Sequence, residues 1–119
     1  DTQLHEILDL CGLSHLRDHM EEEGNWSQML SPGEQQRIAF ARIFLLKPTH
    51  LFLDEATASL DEATESRLYG MLKQRLPESV LISVGHRSTI LAWHRLHLEL
   101  RGDGSWLAVP GKCPSPAST

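Results

Sequence analysis

Two short apolar runs constrain this chain more than any other feature of it. Leu51, Phe52 and Leu53 lead into two adjacent acids, Asp54 and Glu55, and "SVLISVG" (79–85) leads into His86. Between them, residues 62–76 return to helical spacing through Ala63, Leu68, Met71, Leu72 and Leu76. Strand, helix, strand, with strands too apolar to alternate, predicts an α/β fold in which both strands are buried in a parallel sheet. Ligands of such sheets gather outside the carboxyl ends of the strands, where Asp54, Glu55 and His86 stand.

The flanking segments follow the same rules. Leu4, Ile7, Leu8 and Cys11 predict a helix over 3–11 that Gly12 stops. A second short helix is expected over "SHLRDHM" with Ser14 as its cap, then a polar loop, "EEEGNWSQM", holding Trp26. The helix after Ser31 runs to Lys47 and is broken by Pro48. Ile38, Ala39, Ala41, Ile43, Phe44, Leu45 and Leu46 leave it almost no polar face, which predicts burial all round. "STILAWH" reads as a helical turn or two, and "RLHLEL" with "SWLAVP" as a hairpin across Gly102 and Gly104. Residues 1–109 thus read as one domain, with 1–47 and 48–109 as its parts, and 110–119 as a disordered polar tail.

Composition narrows the functional classes. A chain of 119 residues has room for one modest core. Its net charge of −5 argues against a general nucleic-acid surface, so any phosphate must be held locally. No run approaches the roughly 20 apolar residues of a membrane span, and "DTQLHEILDL" is not a signal peptide. Cys11 and Cys113 form no C-x-x-C pair and read as reduced thiols. Cys11, His15 and His19 fall at i, i+4 and i+8, but Gly12 and Ser14 interrupt that alignment and no fourth ligand follows, so helix histidines are the better reading. The six histidines other than His86 need only solvent.

The chemistry-bearing residues each carry two readings. Ser31-Pro32-Gly33-Glu34 is a capping box with proline at the first helical position. Gly33 is left unexplained, since glycine in a helix costs up to ~1 kcal/mol relative to alanine. A bare helix start with a hydroxyl beside it would also suit a phosphate, although the Glu34 carboxylate opposes an anion. Asp54 and Glu55 read either as solvated loop acids capping the next helix, or as a magnesium-associated aspartate followed by a base for water. His86 reads either as a loop histidine bonded to backbone or as a donor to a phosphate oxygen, with Gly85 leaving room around it.

The order "LSPGEQQR", "LFLDE", "ASLD", "VGHR" resembles the second half of the ATPase domain of ATP-binding cassette (ABC) proteins, a P-loop NTPase fold. Leu30–Arg37 looks like the signature motif, Leu51–Glu55 the Walker B strand, Ser59–Asp61 the D-loop and His86 the switch histidine. The resemblance implies ATP and Mg²⁺ as ligands, and a head-to-tail dimer with a second such domain. Ser31, Gly33, Glu34 and Asp61 would then meet a nucleotide held mainly by that partner. Glu55 would be the catalytic base, His86 the sensor of the terminal phosphate, and Asp54 a magnesium residue acting largely through water. It also implies a transmembrane domain as partner and a place at the cytoplasmic face of a membrane, with ATP hydrolysis driving transport. Pro32 and Glu34 depart from the common glycine and glutamine, and "LSPGEQQR" with "SVGHR" looks closest to the peroxisomal fatty-acyl and YddA-like branch. No G-x-x-x-x-G-K-[ST] occurs, so the chain reads as the C-terminal half of the domain, inactive alone. The alternatives are an ABC ATPase unconnected with transport and a non-catalytic remnant.

Overall fold

The structure is a computed structural model that describes residues 2–19 and 29–111. Helix α1 (Thr2–Leu10) is followed by a 3₁₀ helix (Ser14–His19), then α2 (Pro32–Leu46), β1 (His50–Asp54), α3 (Glu62–Arg75) and β2 (Val80–Val84). A second 3₁₀ helix (Ser88–Trp93) leads into β3 (Leu96–Leu100) and β4 (Trp106–Pro110). Strands β1 and β2 pair in parallel, from His50 opposite Val80 to Asp54 opposite Val84, so the expected strand–helix–strand unit forms. Strands β3 and β4 form the expected antiparallel hairpin, with Leu100 opposite Trp106. Gly102 and Gly104 turn it at φ 74° and 91°, a region glycine enters without steric cost.

Helices α1, α2 and α3 share one hydrophobic core with β1, and Phe40, Phe44, Leu53, Leu68 and Tyr69 belong to it. Tyr69 organises the aromatic part: Phe40 meets it edge-on and Trp93 stacks on it, each with ring centroids 6.3 Å away. Two caps define the ends of α2. Ser31 starts it, and Lys47 ends it in the left-handed region at φ 51°, its N–H donating to the Ile43 carbonyl.

Several expectations need correction. Helix α2 is one-sided rather than buried all round: Phe40, Ala41 and Phe44 are buried, while Leu46 is 73% exposed. The strands are buried on one face only, since Leu51 and Leu53 lie in the core but Phe52 is 73% exposed. No residue of β2 is fully buried. The reason is pleating: alternate side chains point to opposite faces, and among the described residues only one face of this two-stranded sheet is covered. Ala63 faces solvent as well. The segment from Ser14 is a 3₁₀ helix that Ser14 begins rather than caps. Pro110 closes β4 instead of opening a tail, and Gly111 donates its N–H to the Arg95 carbonyl. The expected tail from residue 112 on and the loop with Trp26, apart from the exposed Met29, lie outside the described residues. Nor do all the other histidines sit in solvent. His94 is half-buried between the Ile90 carbonyl and the Ser83 hydroxyl, each 2.8 Å from a ring nitrogen, and its desolvation holds its pKa below the ordinary histidine value.

The open face of the sheet has a measurable consequence. Phe52, Val80, Ile82 and Val84 form a contiguous exposed apolar strip, the kind of surface that drives association. Sedimentation of the 119-residue chain should show self-association that rises with concentration and is reduced by Phe52→Lys. A monodisperse, cooperatively melting monomer would contradict that expectation.

Candidate functional site

Parallel pairing brings the strand ends together. Glu55 follows β1, His86 lies two residues beyond β2, and Glu55 Oε1 stands 3.2 Å from His86 Nε2. The His86 side chain is 94% exposed and that of Glu55 41%, so both are reachable from solvent. Asp54, the last residue of β1, is exposed at the same edge. Glu55 itself has φ 52°, a left-handed conformation that costs an ordinary residue roughly 1–2 kcal/mol. Three hydrogen bonds hold it there. Its N–H donates to the Val84 carbonyl at 2.8 Å, and its carbonyl accepts from Gln36 Nε2 at 3.1 Å and from the Ala58 N–H at 3.3 Å. Such over-determined strain clusters where a side chain must be aimed.

A second group of residues forms around two helix starts. The Ser31 hydroxyl accepts the Glu34 N–H at 3.1 Å and Glu34 Oε1 accepts the Ser31 N–H at 2.9 Å, completing the expected capping box. Glu34 Oε2 lies 2.6 Å from His15 Nε2. The Ser31 N–H first, then His15, hold the Glu34 carboxyl below the usual range. Asp61 caps α3 in the same way, accepting the Thr64 N–H at 2.7 Å, and that bond lowers its pKa.

Between these helix starts lies a groove of about 460 Å³, whose lining includes Ser31, Gly33, Arg37, Ser59, Asp61 and Thr64. The N-terminal ends of two helices and the Arg37 guanidinium make it locally positive in an acidic chain. The carboxylates that cap these two helix starts, Glu34 and Asp61, are occupied as caps. The groove therefore suits an anion better than a cation.

Gly33 gains a reason that the capping box did not supply. A Cβ there would stand 3.2 Å from the Ser59 carbonyl oxygen and 3.6 Å from Leu60 Cδ2. The first turn of α2 passes so close to the turn before α3 that a side chain would crowd it.

The structure thus places Ser31, Gly33 and Asp61 around one groove and Asp54, Glu55 and His86 at the strand edge. Gln36, which sequence reasoning missed, joins the two. Its Nε2 donates to the Glu55 carbonyl and its Oε1 accepts the Ser59 N–H at 2.9 Å. Its spacing was the signal: Gly33 and Gln36 are i and i+3, hence on one helix face. Glu65 was also missed. It is 1% exposed, a carboxylate on the same stripe of α3 as Leu68, Tyr69 and Leu72. Among the described residues no cluster of three or more metal-binding side chains forms. Cys11 is a free thiol in the core, its pKa pushed to about 11 by burial, while His15 turns to Glu34. The alignment from Cys11 to His15 therefore does not assemble.

Comparison with known proteins places this architecture. Residues 1–58 match a family model described as ABC transporter. An uncharacterized ABC transporter ATP-binding protein of Haemophilus influenzae is 51% identical over 105 residues, 88% of this chain and 18% of the relative. The human lysosomal cobalamin transporter ABCD4 is 43% identical over 111 residues, 89% of this chain and 18% of that protein. The inner membrane ABC transporter ATP-binding protein YddA of Escherichia coli is 40% identical over 87 residues, 73% of this chain and 16% of YddA. The chain therefore spans under a fifth of the length of these relatives. A solved chain described under "Structural biochemistry of ATP-driven dimerization and DNA stimulated activation of SMC ATPases" superposes with a TM-score of 0.54 at 24% identity, covering 70% of this chain and 55% of that one. That likeness establishes the fold alone. No helix among the described residues is long and apolar enough to cross a membrane. With relatives of one kind matching along most of its length, the chain belongs to the ABC transporter family, in the branch that holds YddA and the D-subfamily transporters.

Proposed function

We propose that this chain is the part of an ATP-hydrolysing domain that supplies the catalytic base and the face that meets a partner's nucleotide, and that hydrolysis is coupled to transmembrane transport. The observation that carries the proposal is Glu55, held at φ 52° beside an exposed histidine, 3.2 Å away, at the carboxyl edge of a parallel sheet. Glu55 takes a proton from the attacking water. Its backbone, tied to Val84 and Gln36, fixes the direction of the carboxylate before substrate arrives. His86 contacts that carboxylate, and its exposure lets it swing to a phosphate oxygen.

Ser31 and Gly33 approach the terminal phosphate of a nucleotide held by an opposing domain, and Asp61 works across the same interface. The Ser31 oxygen accepts the Glu34 N–H, which leaves its O–H to donate to phosphate, so capping and binding are compatible. Glu34 acts through Ser31 and His15 rather than on the anion. Asp54 would hold magnesium largely through water, and the ion would neutralise phosphate charge. A single exposed carboxylate beside a base suits an ion that keeps most of its waters and takes one or two protein carboxylates.

The partners follow from this reading: a second such domain, head to tail, and a transmembrane domain at the cytoplasmic face of a membrane. The test is ATP hydrolysis by a full-length protein carrying this chain, reconstituted in liposomes. A folded, reconstituted protein without ATPase activity would sink the proposal. The 119-residue chain alone contains no phosphate-cradling G-x-x-x-x-G-K-[ST] loop. It should bind Mg-ATP too weakly for calorimetry at micromolar concentration, and a micromolar affinity would mean that these residues hold a complete phosphate site.

A further inference from the structure

We infer that Glu65 is a positioning residue that ties the turn carrying Glu55 to the segment carrying His86, an inference that rests on the proposed ATPase reading. Glu65 sits in the first turns of α3 and is 1% exposed. Among the described residues its side-chain donors come from those two segments. Thr57, two residues past Glu55, donates its hydroxyl to Oε2. Thr89, three residues past His86, donates its hydroxyl to Oε1. Arg87, the residue after His86, reaches Oε2 from Nη1 at 3.3 Å, while its Nη2 donates to the Ala58 carbonyl at 3.0 Å. Among the described residues no buried side-chain nitrogen or oxygen lacks a hydrogen-bond partner, so this carboxylate is satisfied.

A buried carboxylate is a costly way to pack a helix. Taking it from water is unfavourable unless charge and hydrogen bonds compensate, and an apolar side chain of similar volume often stabilises as well or better. What an apolar residue cannot do is bind two loops at once. Thr57 and Arg87 lie on the two segments whose relative position sets the 3.2 Å contact of Glu55 with His86. The left-handed backbone of Glu55 also needs neighbours that over-determine it. The turn at 57–60 is one of them, and Glu65 and Arg87 hold it at Thr57 and Ala58. Glu65 touches no reacting atom and acts through the residues it holds.

Glu65→Gln keeps the length and one acceptor oxygen but removes the charge that Arg87 needs. In a full-length protein carrying this chain, kcat for ATP should fall about 10- to 100-fold with KM nearly unchanged, the size of effect that a small misplacement of a catalytic group produces. In the nucleotide-free protein, amide exchange over residues 58–60 should rise about 10-fold or more while exchange in α2 stays as in the parent, a local opening rather than global unfolding. Adding Arg87→Met should cost less than the same change costs in the parent, because the Arg87–Glu65 contact is already weakened and only the bond to the Ala58 carbonyl remains to be lost. If Glu65→Gln does not fold, Thr89→Val, which removes one hydroxyl at nearly constant volume, is read by the same two measurements. Parent-like kcat and exchange in either folded variant would overturn the inference, as would a loss of protection spread evenly through α2. Glu55→Gln run in parallel separates the two readings. Normal hydrolysis by that variant overturns the ATPase role of Glu55 while the exchange result still judges the Glu65 tie.

Discussion

Glu55→Gln in a full-length protein should lose ATP turnover by about 10²–10⁴-fold, the usual effect of removing a positioned base, while nucleotide binding and nucleotide-dependent dimerisation persist. Glutamine keeps the length, the contact distance to His86 and the same backbone demand at φ 52°, so the melting temperature should hardly move. What it cannot do is take a proton. Glu55→Gly offers the opposite combination. It relieves the left-handed strain, which is worth roughly 1–2 kcal/mol in an ordinary residue, and should raise stability while removing the base. Phosphate release, size-exclusion chromatography with nucleotide and a thermal melt measure turnover, nucleotide-dependent dimerisation and stability in turn. Near-parent hydrolysis by Glu55→Gln would remove Glu55 from the role of base.

What the sequence made legible was local. The two apolar runs and the helical stretch between them are enough to specify the parallel β1–α3–β2 unit, because each element carries its own local signal, a short apolar run for the strands and a helical period for α3. The capping box is legible for the same reason: Ser31 and Glu34 are three residues apart and close on one another. Degree of burial was not legible. An apolar residue such as Phe52 or Leu46 announces only that it would gain from cover, and cover depends on what packs there. The residues that join the site were hidden by distance along the chain. Gln36 meets Glu55 and Ser59 across 19 and 23 positions, and Glu65 meets Arg87 and Thr89 across 22 and 24. A polar side chain on the packed face of a helix was the available sign in both cases. The ordered stretches that hold Ser31, Asp54, Glu55, Asp61 and His86 carried the resemblance to a family, whereas the division into a strand edge and a groove required the fold.

Gly33 carries the second large expected effect. Any side chain there meets the Ser59 carbonyl, since the added Cβ would lie 3.2 Å from it. Gly33→Ala therefore sets a helix-propensity gain of up to ~1 kcal/mol against a contact that must give by a few tenths of an ångström. Gly33→Asp adds more than bulk. A carboxylate in the first turn of a helix is ordinarily favourable, by about 0.3–1 kcal/mol, so the fold should tolerate it as well as it tolerates Gly33→Asn, which has the same shape. An anion approaching the groove would instead meet a new negative charge beside Ser31, where excluded water leaves repulsion poorly screened. In a full-length protein, Gly33→Asn should slow ATP hydrolysis through crowding alone. Gly33→Asp should bind nucleotide through the opposing domain yet fail to close, with turnover lower than that of Gly33→Asn by about 10²-fold or more, the scale of losing one charge-stabilising contact in a closed site. The melt of each variant supplies the control, and the ratio of the two rates isolates charge from size. Equal rates for folded Asp and Asn variants would mean that no phosphate comes near this glycine, leaving its close passage by Ser59 as the whole reason for it.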